Sequence, residues 1–148
     1  MSDISYLFPT YFIYIFIYKQ KIYSFFFIIL GDTGSYQKLL SQVKLPFVEH
    51  DRCQTLLRAT ALGTTFGLDD SFNCAGGEKG VDTCKGDGGG PLFCPLTEDP
   101  ERYVQIGIVA IGLECGRPNV PGIYANVPYG LCFIKWATQC VVSKDEKL

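Results

Sequence analysis

Between Val81 and Cys94 the chain reads VDTCKGDGGGPLFC. Four glycines and a proline crowd around Asp87, so the backbone must turn sharply there and come close to another group. Other residues able to do chemistry are sparse. His50 is the single histidine, in the run VEHDRC. A general base is one reading of it, and a solvent-facing or cap-associated histidine is the simpler one. Seven cysteines (53, 74, 84, 94, 115, 132 and 140) suit an oxidising compartment, and the odd number leaves one thiol without an internal mate. With no CxxC, one histidine and scattered spacings, they do not form a zinc site. No metal and no cofactor is expected.

The elements that hold these residues read as β-rich from Gly31 onward. Val43, Leu45 and Phe47 alternate with Lys44 and Pro46, as in a half-buried strand whose proline puts it near an edge or end. Cys53, Leu56 and Leu57 have helical spacing within Glu49–Ala61. Tyr103–Ile111 is β-branched and apolar, and Gly122–Val127 follows a Pro-Gly turn. The charged run Thr97–Arg102 is a loop. Phe133, Trp136, Ala137, Cys140 and Val141 fall on one face of a terminal helix. Short strands with one terminal helix predict an all-β barrel or sandwich.

Residues 1–30 differ from the rest. They hold 11 of the 21 aromatics, no glycine and no cysteine, and only Asp3, Lys19 and Lys21 are charged. Two domains in the loose sense follow, 1–30 and 31–148. The first segment reads as a gene-model artefact, as a signal anchor, or as a poor signal peptide. Two lysines near its centre disfavour a spanning helix by about 2.5–3.5 kcal/mol each, and no small-x-small cleavage motif follows the apolar run. A net charge of −2 gives no electrostatic reason to expect nucleic acid as a partner.

Asp82-Thr83-Cys84-Lys85-Gly86-Asp87-Gly88-Gly89-Gly90-Pro91 resembles the nucleophile loop of trypsin-like serine proteases, which normally reads Gly-Asp-Ser-Gly-Gly-Pro. Ile108–Gly112 resembles that family's substrate-backbone strand. Pro121–Tyr124 resembles the strand closing its specificity pocket, and the segment around Trp136 its C-terminal helix. Within the family the chain is most similar to arthropod clip-domain serine protease homologues of the masquerade and prophenoloxidase-activating factor 2 type. The resemblance covers residues 31–148 and the C-terminal half of the protease domain only. It implies the second six-stranded Greek-key β-barrel of the trypsin-like fold, incomplete, with a short intermediate helix and a C-terminal helix.

The departures set the expected function. Gly88 stands where the family has its serine, and glycine cannot form an acyl-enzyme. Thr83, five residues away on the pocket wall, cannot substitute for it. His50 matches a non-catalytic position, and the family's histidine and aspartate would lie in the missing half. The resemblance makes Gly86 and Gly88 oxyanion-hole-like and Asp82, Gly112 and Gly122 specificity-pocket-like. It makes Asp87 the carboxylate that pairs with a new amino terminus after zymogen cleavage, although no Arg or Lys precedes an Ile-Val-Gly-Gly here. Ile111 and Ala110 replace the usual tryptophan and serine of the substrate strand.

The same resemblance pairs Cys53 with Cys74 and Cys84 with Cys115. It leaves Cys94 unpaired, since its mate would lie just upstream of Gly31. Cys132 and Cys140 pair only if the terminal helix starts after Cys132. The implied function is a catalytically inactive, secreted regulator of a proteolytic cascade such as prophenoloxidase activation in innate immunity. Its partner would be a protease or a prophenoloxidase-type zymogen. A trypsin-like endopeptidase fragment and a non-functional truncated product are the alternatives. Loss of the first barrel also predicts an exposed strand edge and self-association, unless Ile22–Leu30 fills the missing strand.

Overall fold

A computed structural model describes residues 22–26, 41–96, 99 and 101–145 of the 148. Among the described residues seven strands run β1 Ile22–Phe26, β2 Ser41–Leu45, β3 Phe47–Val48, β4 Phe72–Gly76, β5 Pro91–Pro95, β6 Tyr103–Ile111 and β7 Pro121–Asn126. Helix α1 spans His50–Arg58 and α2 spans Leu131–Asp145. Residues 1–21, 27–40, 97, 98, 100 and 146–148, with the side chains of Cys140 and Val141, lie outside the described set.

All seven strands form one antiparallel sheet in the order β2-β1-β5-β6-β7-β4-β3. Its outermost strands, β2 and β3, are consecutive in the chain and separated only by Pro46. They are two halves of one bent strand, so six strands roll around a common interior. No ladder joins β2 to β3, and the sheet meets itself at the Pro46 bend without closing. Proline suits that joint because it has no N–H to donate to a ladder. Its carbonyl still accepts from the Gly76 N–H at 2.8 Å.

Ile22–Phe26 takes the strand position beside β5. Tyr23 stands opposite Phe93 and Ser24 opposite Leu92, while the other edge of β1 pairs along all of β2. The apolar N-terminal segment therefore supplies a strand to the sheet.

Period-2 alternation splits β4 and β7 between two cores. Ala75 and Tyr124 point inward to join Leu45, Leu92, Cys94, Ile106 and Val109. Cys74 and Ile123 point the other way, toward Val48, Cys53, Leu57 and Leu68 beneath α1. Cys53, Leu57, Cys74, Leu92 and Tyr124 are fully buried. Each large apolar side chain removed from water contributes about 1.5–3 kcal/mol.

Helix α1 follows from Cys53, Leu56 and Leu57 at helical spacing, with Asp51 in its first turn and Arg58 in its last, both matched to the helix dipole. It ends at Arg58, earlier than Ala61. The Ala59 and Thr60 N–H groups turn back to Leu56 and Leu57, and the Thr60 hydroxyl also bonds the Leu57 carbonyl. The Cys53–Cys74 disulfide ties α1 to β4 across 21 residues, contributing roughly 3 kcal/mol on the chain-entropy account. Two side chains of α1 fold the next loop back onto it. Gln54 Oε1 accepts from the Leu68 N–H at 2.9 Å, and Arg58 Nε donates to the Phe66 carbonyl at 2.7 Å.

Candidate functional site

The loop from Asp82 to Gly90 is a chain of tight turns fastened at both ends. Asp87 is 3% exposed and sits at its centre. Its Oδ2 accepts from the Cys84 N–H at 2.7 Å, while its own N–H donates to the Cys84 carbonyl at 3.0 Å. The Gly90 N–H donates to the Asp87 carbonyl, closing the next turn. The loop then zips onto β6: Gly89 N–H donates to Val109 O at 3.0 Å and Val109 N–H to Gly90 O at 2.9 Å. Gly86 and Gly89 have φ of +94° and +86°, where a side chain would be strained. That is why the sequence crowds glycine here. Gly88 differs. Its φ is outside that region, it is exposed, and no atom lies within 4 Å of where a Cβ would stand.

The second carboxylate, Asp82, is gripped from two distant stretches. Its Oδ1 accepts from the Thr83 N–H at 2.8 Å and its Oδ2 from the Gly116 N–H at 3.0 Å. Gly76 and Gly122 flank it so closely that a Cβ on either would be 3.5 and 3.4 Å from Oδ1. The Cys84–Cys115 disulfide, spanning 31 residues, fastens the Asp82 loop to the Gly112–Val120 loop that provides Gly116. Gly80 N–H to Gly116 O and Asn119 N–H to Gly77 O complete the join.

Burial pushes the Asp82 carboxyl above its ordinary range, opposed by the Gly116 and Thr83 N–H groups, with the Asp87 charge adding a small push upward. Burial raises Asp87 as well, against the single Cys84 N–H. Its Oδ1 is buried and has no hydrogen-bond partner among the described residues. Two carboxylates thus share one end of the barrel, each short of compensation. The Thr83 hydroxyl is buried and lies 3.3 Å from the Tyr124 hydroxyl, which burial holds protonated.

The sequence-derived candidates fall into three groups. Asp82, Gly86, Asp87, Gly88 and Gly122 come together at the loop and the adjoining β7. Gly112 ends β6 with open space around it. His50 is elsewhere, at the start of α1, with Nε2 3.6 Å from Asp70 Oδ1 and Nδ1 3.9 Å from Asp51 Oδ1. No described hydrogen bond or ion pair joins it to the glycine loop. Among the described residues the Gly86 and Gly88 N–H groups donate to no protein acceptor.

Gly76, Gly116 and the Thr83–Tyr124 pair were not singled out by the sequence. Gly116 is 34 residues from Asp82, and no spacing rule reaches that far. Cys94 is a buried free thiol on β5, raised by burial. Cys132 is a free exposed thiol inside α2. Because α2 begins at Leu131, Cys132 and Cys140 lie on one continuous helix, about 12 Å apart along its axis and too far to bridge. Among the described residues no cluster of three or more His, Cys, Asp or Glu is placed to hold a metal ion, and no helix is long and apolar enough to cross a membrane.

A rolled, unclosed antiparallel sheet with an intermediate helix, a glycine-walled carboxylate and a disulfide-pinned glycine loop defines a trypsin-like domain. The trypsin family profile matches residues 29–136, and the chain belongs to that family. It is 53% identical over 97 residues to phenoloxidase-activating factor 2 of Galleria mellonella, covering 66% of this chain and 32% of that protein. Inactive CLIP domain-containing serine protease A3 of Aedes aegypti is 47% identical over 110 residues, 74% of this chain and 22% of that one. Protein masquerade of Drosophila melanogaster is 37% identical over 112 residues, 76% of this chain and 10% of that one. The chain therefore spans a third or less of the length of these relatives.

Proposed function

We propose that this chain is a non-catalytic, secreted member of the trypsin family that regulates a proteolytic cascade through protein contacts. The observation that carries the reading is Gly88. It occupies the nucleophile position of a loop whose frame is otherwise kept, and it offers no side-chain atom to attack a carbonyl. The Gly86 and Gly88 N–H groups take the oxyanion-hole-like places, but without an attacking atom no charge develops for them to stabilise. The buried Thr83 hydroxyl is committed to Tyr124, and His50 stands at the start of α1, with no described hydrogen bond or ion pair to the glycine loop.

What remains is recognition. Asp82, walled by Gly76 and Gly122, is an acid suited to a Lys or Arg side chain of a partner protein. The name of the Galleria mellonella relative makes a phenoloxidase-activating cascade the first to test, with a protease or zymogen as partner.

The experiment has two arms on the purified chain. Turnover of a Lys or Arg ester substrate is expected to be absent, and so is labelling by a serine-directed inhibitor. Inhibitor-sensitive turnover would overturn the reading. Added to an activating protease and its phenoloxidase-type zymogen, the chain is expected to change the rate of zymogen cleavage, and Asp82→Asn is expected to weaken that effect. An unchanged rate with the wild-type chain refutes the regulatory role.

A further inference from the structure

The two disulfides differ in what can reach them. Cys53 and Cys74 are fully buried beneath α1. Cys84 and Cys115 are only half-buried, and Lys85 and Glu114 beside them are exposed. Thiol–disulfide exchange requires a thiolate to approach a sulfur, so access decides which bond is cut. A reductant meets Cys84–Cys115 first.

That bond also stands where both buried carboxylates are held. The Cys84 N–H is the one donor that the described residues give to Asp87. Gly116, next to Cys115, donates to Asp82 Oδ2. One sulfur–sulfur bond therefore joins the backbone that grips Asp87 to the backbone that grips Asp82.

The other fastenings of this stretch are light. Glu114, Arg117, Pro118 and Asn119 are exposed, and the Arg117–Glu114 ion pair lies within the loop itself. Gly80 N–H to Gly116 O and Asn119 N–H to Gly77 O, both 2.8 Å, tie it to the neighbouring turn. Gly80 and Gly116 come so close that a Cβ on Gly116 would stand 3.0 Å from the Gly80 Cα. Both have positive φ, +75° and +66°. Holding two such glycines together costs more backbone entropy than holding other residues, and the disulfide limits the alternatives open to them.

We propose that Cys84–Cys115 is a redox switch for the Asp82 recognition site, closed when oxidised and opened by a dithiol reductant. One thiolate of the dithiol attacks a sulfur of the pair, the Cys84–Cys115 bond breaks, and the other cysteine leaves as a thiolate. The second thiolate of the dithiol then attacks the mixed disulfide and frees the remaining cysteine. The protein disulfide is reduced to two thiols, the dithiol is oxidised to a disulfide, and its two protons end on the cysteines. The Gly112–Val120 loop then moves off and takes the Gly116 N–H from Asp82. A half-buried carboxylate that loses a donor takes up a proton or turns to water. Either way it no longer presents a fixed negative charge to a Lys or Arg side chain. Only this last consequence rests on the recognition role proposed above.

The test uses the full 148-residue chain, folded and oxidised, with its free thiols capped. Stepwise dithiothreitol, then alkylation and peptide mass mapping, is expected to label Cys84 and Cys115 while Cys53 and Cys74 stay joined. Hydrogen exchange at the Gly116 amide, read by NMR, is expected to quicken about tenfold or more after this step, with the circular dichroism kept. Cys84→Ser combined with Cys115→Ser is expected to exchange at the fast rate without reductant and to ignore dithiothreitol. In the zymogen-cleavage assay, run without reductant, that variant is expected to lose most of the wild-type effect.

Release of Cys53 and Cys74 together with or before the other pair overturns the switch. So does an unchanged Gly116 exchange rate, or general unfolding on reduction. A double variant that keeps the full wild-type effect overturns the control of recognition. If the wild-type chain itself leaves zymogen cleavage unaltered, the regulatory role fails, while mapping and exchange still decide the switch.

Discussion

Asp87→Asn separates the charge of the loop's central carboxylate from its hydrogen bond. Asp87 is 3% exposed, and among the described residues Oδ2 has one donor and Oδ1 has none. Asparagine has the same shape and can still accept from the Cys84 N–H. A buried unpaired group costs about 1–3 kcal/mol when neutral and more when charged, so removing the charge should stabilise the fold by roughly 1–3 kcal/mol at neutral pH. Because burial raises the Asp87 carboxyl in the folded chain, the folded state holds its proton to higher pH than the unfolded state does. Stability therefore falls as pH rises from the ordinary aspartate value through the raised one, by about 1.4 kcal/mol per pH unit between them. Below both values both proteins carry a neutral group of the same shape there and should melt alike.

Thermal unfolding followed by circular dichroism at pH 3, 5 and 7 reads the difference. The variant should match wild type at pH 3 and melt higher at pH 7, at about 3–5 °C for each kcal/mol in a chain of this size. A variant less stable at pH 7, or offset equally at both ends of the range, would show that a further donor or cation compensates the Asp87 carboxylate and would refute the reasoning.

Two other predictions test the strand register and the close packing. Extending the β1–β5 ladder by one residue from Tyr23 opposite Phe93 sets Ile22 opposite Cys94. Ile22→Cys should then form a disulfide with Cys94, seen as one free thiol fewer than wild type by intact-mass labelling under denaturing conditions and as up to about 4 kcal/mol of added stability; a gain of one free thiol would refute the register. Gly122→Ala puts a Cβ 3.2 Å from the Tyr124 ring and hydroxyl, and should cost about 1–3 kcal/mol in urea unfolding. Gly88→Ala, with open space, should change stability by less than about 0.5 kcal/mol. Equal effects at the two glycines would contradict the loop geometry.

Much of the fold could be read where one face is buried. Tyr103–Ile111 carries β-branched residues across its full length, and the helical spacing of Cys53, Leu56 and Leu57 located α1 to within a few residues. Strand β4 escaped notice because Phe72–Gly76 is packed on both faces and shows no alternation. Strand β5 hid between two prolines, in a stretch read as part of the glycine loop. Ile22–Phe26 is apolar throughout, so its period could not distinguish a strand from a helix, and only its neighbours β2 and β5 decide its state. On α2, Phe133 and Trp136 do share a face as their spacing implied, but the face is not buried within this chain.

In the site, the glycine crowding around Asp87 was legible because positive φ demands glycine at residues 86 and 89. Asp82 was legible only through resemblance. Its grip by Gly116 and its seat between Gly76 and Gly122 depend on three segments that no local pattern connects.

The Pro46 bend has a mechanical consequence. An ordinary open sheet has two ends that can fray separately, each losing its outer strand without disturbing the other. Here the outer strands are one continuous piece of backbone, pinned at the corner by the Gly76 N–H on the Pro46 carbonyl. Peeling β2 from β1 pulls directly on β3 and its hold on β4. The sheet behaves as a hoop fastened by a single clasp, and opening at either side is felt at both. Exchange of the Gly76 amide with solvent would therefore time the opening of the whole ring rather than of one edge.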